Sequence, residues 1–523
     1  GGGGGGGTTG GFAGFGGGGG GNSSIPNGSL FGGSGAAAAG SGAGGGGGAA
    51  GGALFVQSGG SLQVIGSFTI NGSSLTPGAA GGAGASDGTT GGGGIFLDGV
   101  GTLAMNPASG STVVINDSIA DVLGVTGTID QPAWSLVKGG AGTLVLGGDN
   151  KYAGGTVLSQ GILSVSQDAN LGVGSLFFSG GATLAVTGTS TFTRTVFTDG
   201  VDTIRVSPGQ TATWSGQFQE LSTPSSLNVT GGGTLALANL TNSFTQGVSI
   251  SGGSTVAVTN DASLGASSGG LALGDASSSG TLSINAPTFT TARAVTLGAG
   301  GGVIDTVGGT NATFTGTLSG SGGLTKAGSG TLTLAGAIGY TGPTVIAGGS
   351  LRAGIPNLFG PGATLSLGGG GSSIDFGGFS QSLEALTGTG TLAMGGGTLT
   401  IGSGGSSSEF DGVITGSGAV VKNGGGTFVM TGANTYGGGT FVNGGALQGN
   451  TASIPGNIVD NAAVVFDQGS SGTYFGTISG SGAFGKTGGG TLTFAGPQFY
   501  TGGTVIAGGT LVGNTSNLYG TIV

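Results

Sequence analysis

The stretch LTKAGSGTLTLAGAIGYTGPTVIAGGSL, residues 324–351, decides the fold, because the chain repeats it. Three further copies of the same length align with it without a gap. They are LVKGGAGTLVLGGDNKYAGGTVLSQGIL (residues 136–163), VVKNGGGTFVMTGANTYGGGTFVNGGAL (420–447) and FGKTGGGTLTFAGPQFYTGGTVIAGGTL (484–511). A degenerate fifth copy occupies residues 227–255. Repetition of this kind indicates one structural unit stacked on the next.

Two residue types hold fixed positions in the four good copies. A lysine stands five residues before the Thr of the Gly-Thr pair, and a tyrosine stands nine after it. The residues are Lys138, Lys326, Lys422 and Lys486, and Tyr152, Tyr340, Tyr436 and Tyr500. We predict structural roles for all eight. The lysine stems are expected to lie over the surface with their charges in solvent, and the tyrosines to pack at corners rather than form a carbohydrate platform.

Strand patterns of period two alternate with Gly-rich corners in each copy. In the run TLTL, Leu332 and Leu334 are predicted to face inward, and Thr331 and Thr333 outward. No helical pattern separates successive strands, which argues against βαβ units. The sequence therefore predicts an all-β fold, a parallel β-solenoid in which each strand pairs with the turn before it. Turns of roughly 20 to 25 residues would give about 20 turns and an elongated rod of about 100 Å.

Composition supports a repetitive body. Glycine supplies 138 of 523 residues and charged residues only 5%, whereas globular chains average about 7% Gly and about 25% charged residues. So much glycine disfavours helix, while the recurring β-branched runs argue against general disorder. We expect a Gly-rich segment over residues 1–53, followed by one continuous β-helix over residues 54–523.

The chain lacks the residue types that several kinds of chemistry require. The chain has no Cys and no His, which excludes disulfides, thiolate catalysis and a serine protease triad. Its formal net charge is −10 and it has no basic run, so no nucleic-acid partner is expected. No run of apolar residues is long enough for a membrane-spanning helix.

The pattern L-x-K-x-G-x-G-T-L-x-L-x-G-x-N-x-Y-x-G-G-T-x-V-x-x-G-x-L resembles the passenger-associated repeat of bacterial autotransporters. The resemblance implies a right-handed parallel β-helix that is exported and folds outside the cell. It also implies an extracellular or cell-surface location. Membrane attachment is expected only through a C-terminal barrel, which the 523 residues do not include.

The resemblance and the scarcity of catalytic residues predict a non-enzymatic surface stalk, adhesin or filament-forming protein, with a role in adhesion or in a biofilm matrix. Expected partners are host or abiotic surfaces or glycans, and further copies of the chain joined end to end into fibres through unpaired strands. Two alternatives stay open. One is a polysaccharide hydrolase or lyase on a parallel β-helix, and the other is a glycan-binding module without turnover.

The stretch GSGAFGKT, residues 480–487, fits the phosphate-binding pattern G-x-x-x-x-G-K-[ST]. That loop needs a helix after it, so that the helix N-terminus meets the phosphates. A strand pattern follows here, and the sister copies lose the second Gly. We therefore predict no nucleotide and no other cofactor.

Two further site hypotheses are weak. GGAGASDG, residues 81–88, comes near a calcium-binding nonapeptide, but Asp87 stands one place late, so no metal is predicted. A polysaccharide-cleaving site would need paired carboxylates or an acid with an arginine base. Its candidates are Asp117, Asp121, Asp199, Asp202, Glu409 and Asp411, with Arg194, Arg205, Arg293 and Arg352. Asp199, Asp202 and Arg205 form the closest cluster, although solvated surface charges are the favoured interpretation.

Overall fold

The computed structural model describes residues 49–50, 52–56, 62–64, 66–76, 79, 90–122, 133–179, 181–514, 518 and 521–523. The predicted Gly-rich segment over residues 1–53 lies almost entirely outside these ranges. The stretch considered for calcium, residues 81–88 with Asp87, also lies outside them.

The chain divides into two compact units, residues 1–247 and 248–523. Each unit consists of short parallel β-strands, and the described helical segments of more than one residue are the 3-10 turns Asp168–Leu171 and Asp261–Leu264. The predicted all-β parallel solenoid is confirmed, with about 19 turns in the two units taken together. Within the described residues, no helix has the length and apolar character needed to cross a bilayer.

The strands of the first unit follow one another at short intervals. They are β1 Ala49–Ala50, β2 Leu54–Val56, β3 Gln63–Val64, β4 Phe68–Ile70, β5 Thr90–Gly91, β6 Ile95–Leu97, β7 Gly101–Met105, β8 Thr112–Ile115, β9 Ile119–Asp121, β10 Trp134–Lys138, β11 Thr143–Leu146, β12 Thr156–Leu158, β13 Ile162–Val165, β14 Leu176–Phe178, β15 Thr183–Val186, β16 Ser190–Phe192, β17 Val196–Thr198, β18 Val201–Val206, β19 Thr211–Trp214, β20 Phe218–Glu220, β21 Ser226–Thr230 and β22 Thr234–Leu237.

The strands of the second unit, with β23 beginning one residue before it, have similar lengths. They are β23 Gly247–Ile250, β24 Thr255–Val258, β25 Gly270–Leu273, β26 Gly280–Ile284, β27 Thr288–Thr291, β28 Val295–Leu297, β29 Gly302–Thr306, β30 Asn311–Phe314, β31 Leu318–Gly320, β32 Leu324–Ala327, β33 Thr331–Leu334, β34 Ile338–Tyr340, β35 Thr344–Ile346, β36 Ser350–Ala353, β37 Thr364–Leu367, β38 Ser373–Asp375, β39 Gln381–Leu383, β40 Ala385–Gly388, β41 Thr391–Ala393, β42 Leu399–Ile401, β43 Ser408–Phe410, β44 Val413–Thr415, β45 Val420–Lys422, β46 Thr427–Met430, β47 Thr440–Val442, β48 Ala446–Gly449, β49 Ile458–Asp460, β50 Ala463–Asp467, β51 Gly472–Tyr474, β52 Ile478–Gly480, β53 Ala483–Thr487, β54 Thr491–Phe494, β55 Phe499–Tyr500, β56 Thr504–Ile506 and β57 Thr510–Val512.

Within each sheet, a strand pairs with the strands of the adjacent turns. In the first unit the sheet orders include β20-β17-β14-β12-β10-β7-β3 and β21-β18-β15-β13-β11-β8-β4. In the second unit they include β27-β30-β33-β36-β38-β41-β44 and β39-β42-β45-β47-β49-β52-β55. Parallel stacking satisfies the backbone N–H and C=O groups of one turn with those of its neighbours.

Side chains alternate between the core and the outside along each strand. Leu332 and Leu334 are fully buried, whereas Thr331 and Thr333 are not. In register, Leu332 pairs with Leu351 of the following turn and Leu334 with Ala353. The period-two pattern therefore builds continuous apolar columns inside the solenoid, as the sequence predicts.

Glycine is required where a corner turns with positive φ against the neighbouring turn. Gly349 has φ of +64°, and a Cβ there would lie 2.4 Å from the Gly330 carbonyl oxygen and 2.6 Å from that of Gly328. Both distances are below van der Waals contact with backbone that cannot move freely. Gly370, in contrast, has nothing within 4 Å of the same position.

We expect Gly349→Ala to lower the free energy of unfolding by about 2 kcal/mol or more, because it combines left-handed strain with a backbone clash. Gly370→Ala is the matched control and should change it by less than about 0.5 kcal/mol. Urea unfolding followed by circular dichroism measures both. Equal effects of the two substitutions would show that the corner geometry does not demand glycine.

Candidate functional site

The repeat lysines share one site, built from backbone carbonyls at a corner. The Nζ of Lys138 donates to the carbonyl oxygens of Gly139 at 2.6 Å, Gly140 at 2.8 Å and Gln160 at 2.8 Å. These acceptors lie one, two and 22 residues further along the chain, so two of them belong to the same corner and one to the next turn. An ammonium carries three N–H donors, and all three are used.

The other three lysines repeat this geometry with acceptors at the same offsets. Lys326 donates to Ala327, Gly328 and Gly348 at 2.7, 2.9 and 3.1 Å; Lys422 to Asn423, Gly424 and Gly444 at 2.5, 3.1 and 3.2 Å; and Lys486 to Thr487, then to Gly488 and Gly508 at 2.8 and 3.2 Å. All four side chains are 0% exposed. The prediction that their charges lie in solvent is therefore wrong. The corner carbonyls of two successive turns converge inward, and the ammonium supplies the donors that no strand provides there.

Burial lowers the pKa of Lys138 to about 8. It also lowers the pKa of Lys326 to about 8, with the carboxylate of Asp305 acting in the opposite direction. Both values remain above neutral pH, so the two side chains are ammonium ions there and have no lone pair for nucleophilic chemistry.

The repeat tyrosines form a second internal contact. Each hydroxyl is bonded to the hydroxyl of the threonine four residues later. The pairs are Tyr152 with Thr156, Tyr340 with Thr344, Tyr436 with Thr440 and Tyr500 with Thr504, at 2.6, 2.6, 2.8 and 2.6 Å. Tyr340 is half-buried and the other three are buried. Burial raises the pKa of Tyr340 and Tyr436 to about 12. These rings pack at corners, and the buried three present no face to a ligand.

A third internal position was missed by sequence reasoning. Two residues before the tyrosine, the amides of Asn150, Asn434 and Gln498 are buried. The Oδ1 of Asn150 accepts the backbone N–H of Ile119 at 2.7 Å, and its Nδ2 donates to the carbonyl of Asn170 at 2.5 Å. The amide thus joins the turns before and after its own. The asparagine in the repeat pattern N-x-Y was the feature of the sequence that could have predicted this position.

Two arginines considered for catalysis also serve the backbone. Arg194 donates to the Asp168 carboxylate at 2.6 Å and to four backbone carbonyls in and just after the 3-10 turn Asp168–Leu171, those of Asp168, Leu171, Gly172 and Gly174. Arg293 binds Asp261 at 2.8 Å and caps the turn Asp261–Leu264 in the same way. Their side chains are 7% and 0% exposed, so neither is available as a base.

The closest predicted catalytic cluster does not assemble. Asp202 and Arg205 lie on β18 with opposite orientations, Asp202 buried in the core and Arg205 exposed. The Oδ2 of Asp202 accepts the backbone N–H of Asp199 at 3.3 Å, while its Oδ1 is buried without a hydrogen-bond partner in the described structure. Burial raises the pKa of Asp202 to about 7.

The remaining acids are engaged in structure or exposed. Asp117 accepts the backbone N–H groups of Gly72 and Ser73 at 3.0 and 2.8 Å, and Asp121 accepts those of Trp134 and Ala153 at 3.1 and 2.9 Å. Glu409 and Asp411 are exposed, and Arg352 makes an exposed ion pair of 3.4 Å with Asp375. Across the described ranges, no group of three or more potential ligands could hold a metal ion.

The stretch at residues 480–487 lacks the geometry of a phosphate-binding loop. Residues Ala483–Thr487 form β53, and the following element is the strand Thr491–Phe494 rather than a helix. Lys486 uses its three donors on backbone carbonyls and could not reach a phosphate. The match to the phosphate-binding pattern therefore arises from the repeat sequence at a solenoid corner.

A groove of about 290 Å³ opens beside the half-buried Tyr340. Phe359 and Ala363 also line it. Of the three hydroxyls in its wall, those of Tyr340 and Thr344 are bonded to each other, and that of Thr341 donates to the Ser321 carbonyl at 3.5 Å. The groove thus lacks the convergent free polar groups of a specific small-molecule site.

Comparison with known proteins agrees with the repeat pattern. Residues 136–165, 227–258, 324–353, 420–448 and 484–512 match the passenger-associated-transport-repeat family. A stretch of 186 residues is 34% identical to the Adhesin BmaC autotransporter of Brucella suis biovar 1 (strain 1330), covering 34% of this chain and 5% of that relative. No solved structure gives a significant match. The resemblance to an autotransporter passenger region is confirmed.

We expect Lys326→Met to lower the free energy of unfolding by about 3 kcal/mol, because three buried carbonyls lose their donor. Lys151→Met removes a lysine that is exposed and should cost less than about 0.5 kcal/mol. Urea denaturation at pH 7 compares the two variants. A loss for Lys326→Met no larger than that for Lys151→Met would contradict the structural role of the lysine site.

Asp202 should make stability depend on pH. Its folded pKa of about 7 lies above its ordinary value of 3.8, so between these values the folded chain binds the extra proton and stability falls as pH rises. We expect Asp202→Asn to be more stable than the parent by about 4 kcal/mol at pH 8 and to match it at pH 4. Urea unfolding at the two pH values tests this, and a difference that is the same at both would refute it.

Asp460→Asn should act in the same direction, since burial raises the pKa of Asp460 to about 6.

Proposed function

We propose that this chain is a non-enzymatic part of an autotransporter passenger that acts at the cell surface in an adhesin-type role. The observation that carries the proposal is the set of five passenger repeats, together with the identity to a relative whose name is that of an adhesin. The chain spans 5% of that relative's length, so adhesion is a property proposed for this chain and is not transferred from it.

The use of polar side chains supports a role without turnover. The repeat lysines, the repeat tyrosines and the two buried arginines all bind the chain's own backbone or hydroxyls, and the acid cluster on β18 is split between core and surface. A catalytic site needs an acid or base within reach of a bound substrate. Most of the residues that the sequence offered for this task bind the chain's own groups, and the exposed Glu409 and Arg205 lie on separate strands, β43 and β18.

The net charge and the burial of the cations limit the kinds of partner that the chain can bind. Of nine cationic side chains, the four repeat lysines and Arg194 and Arg293 are buried in internal sites. Lys151 and Arg205 are exposed, and Arg352 is paired with Asp375. A chain of net charge −10 whose cations are mostly buried repels anionic polymers. Uncharged or basic surfaces are the partners that fit, whereas self-association into fibres remains a separate proposal.

Adhesion can be measured directly with the purified chain coupled to polystyrene beads. Beads carrying the chain should adhere to epithelial monolayers several-fold better than beads carrying serum albumin, another acidic protein. An excess of the soluble chain should compete and reduce the count. Equal adherence of the two kinds of bead, on cells and on bare glass, would overturn the proposed role.

A further inference from the structure

Asparagine is followed by glycine at several corners of the described solenoid. The pairs are Asn71-Gly72, Asn423-Gly424 and Asn443-Gly444. Such a pair is chemically labile, because the backbone nitrogen of the glycine can attack the Cγ of the asparagine without obstruction from a Cβ. The attack requires that the nitrogen lose its proton and that the side-chain carbonyl be polarised. The hydrogen bonds around each pair therefore decide how fast it reacts.

The backbone nitrogen of Gly424 is activated by the repeat lysine beside it. Its N–H makes no hydrogen bond to a residue that the structure describes. The carbonyl oxygen of the same peptide group, that of Asn423, accepts the Nζ of Lys422 at 2.5 Å. When the nitrogen loses its proton, resonance places part of the negative charge on this oxygen. The ammonium stabilises that charge, so it makes the nitrogen easier to deprotonate.

The side-chain carbonyl of Asn423 is activated from the next turn. Asn443 donates its Nδ2 to the Oδ1 of Asn423 at 3.0 Å. Attack at Cγ moves negative charge onto Oδ1, and a donor already placed there stabilises the tetrahedral intermediate. The side chain of Asn423 is half-buried, and its Nδ2, the leaving group, is bonded to no described residue. The nucleophile and the electrophile are thus both activated at one corner.

The other two pairs lack this combination. Asn443 is also followed by two glycines, but neither its backbone carbonyl nor its Oδ1 accepts a hydrogen bond from a described residue. After Asn71, the N–H of Gly72 donates to the Oδ1 of Asp117 at 3.0 Å, and a carboxylate at that distance opposes loss of the proton. The two pairs are therefore internal references for Asn423 within the same chain.

We propose that Asn423 is a site of spontaneous deamidation in the folded chain. The Gly424 nitrogen forms a bond to the Cγ of Asn423, and the bond from Cγ to Nδ2 breaks. Ammonia leaves with the proton that the Gly424 nitrogen gives up, and a five-membered succinimide remains. Water then opens the ring and leaves aspartate or isoaspartate at this position. The proposal does not rest on the adhesin-type role.

The ammonium also directs the opening of the ring. Lys422 polarises the former backbone carbonyl of Asn423, so water attacks there and gives isoaspartate, whose new carboxylate lies beside the ammonium. The main chain then runs through the side-chain carbon of residue 423 and is one atom longer between β45 and β46. Both strands are paired in register with the turns before and after them. The longer link therefore strains the corner, and deamidation is a one-way change that lowers its stability with age.

The test is incubation of the whole folded chain at neutral pH and physiological temperature, followed by peptide mapping. Mass spectrometry with chromatography distinguishes asparagine, aspartate and isoaspartate at each pair. Asn423 should deamidate at least about tenfold faster than Asn443, because two donors are aimed at the charge that develops, and Asn71 should be the slowest. In urea, which removes these contacts, Asn423 and Asn443 should react within about twofold of each other. A folded chain in which Asn423 is no faster than Asn443 would overturn the proposal.

Substitutions separate the two activating contacts. Asn443→Ala removes the donor to Oδ1 and should slow the deamidation of Asn423 by about fivefold or more. Asn461→Ala is the matched control, because Asn461 is also exposed one turn further on and does not contact Asn423; it should leave the rate within about twofold of the parent. Lys422→Met should slow the reaction as well. If thermal unfolding shows that Lys422→Met has lost the fold, Asn443→Ala decides, and a rate equal to the parent's would refute the proposal.

Discussion

The constraint on which this structure depends is the satisfaction of backbone carbonyls at the solenoid corners. Along the strands, parallel ladders pair each turn with its neighbours. At the corners the ladder is interrupted and carbonyls of two turns point at one buried spot, as Gly139, Gly140 and Gln160 do around Lys138. An unpaired buried carbonyl is costly. A buried ammonium with three donors meets this requirement, and the flexible lysine stem brings it there from an inward strand position.

The two buried arginines also donate to backbone carbonyls, but at 3-10 turns rather than at the corners between strands. The 3-10 turn Asp168–Leu171 and the residues just after it leave several carbonyls without a strand partner, and the planar guanidinium of Arg194 reaches four of them while pairing with the Asp168 carboxylate. Arg293 does this in the second unit. Six of the nine cations in this chain are thus donors to backbone, which leaves few of them on the surface.

The fold was predictable because its signal is local and repeated. The period-two runs defined which leucines face the core, and aligned copies indicated stacking. The lysine environment was not predictable in the same way. A residue at a fixed repeat position fits a solvated surface lysine and a buried one equally well, and only the convergence of carbonyls from a turn 22 residues away distinguishes them. The contact of Asn443 with Asn423 likewise depends on register between turns, since the spacing of equivalent residues varies from 18 to 20 here.

When a fold buries most of its cationic side chains, a ligand can contact only the residues that remain on the surface. Many outward positions on the described strands are threonines, serines and asparagines, with some valines and a few aromatics, each offering a weak contact. Register aligns such residues at the strand spacing, so that a contact made on one turn recurs on the next and weak terms add along an extended ligand. Because few of these residues are charged, salt should affect this addition little. The backbone requirement that buries the lysines therefore also shapes the chemistry that the surface can offer.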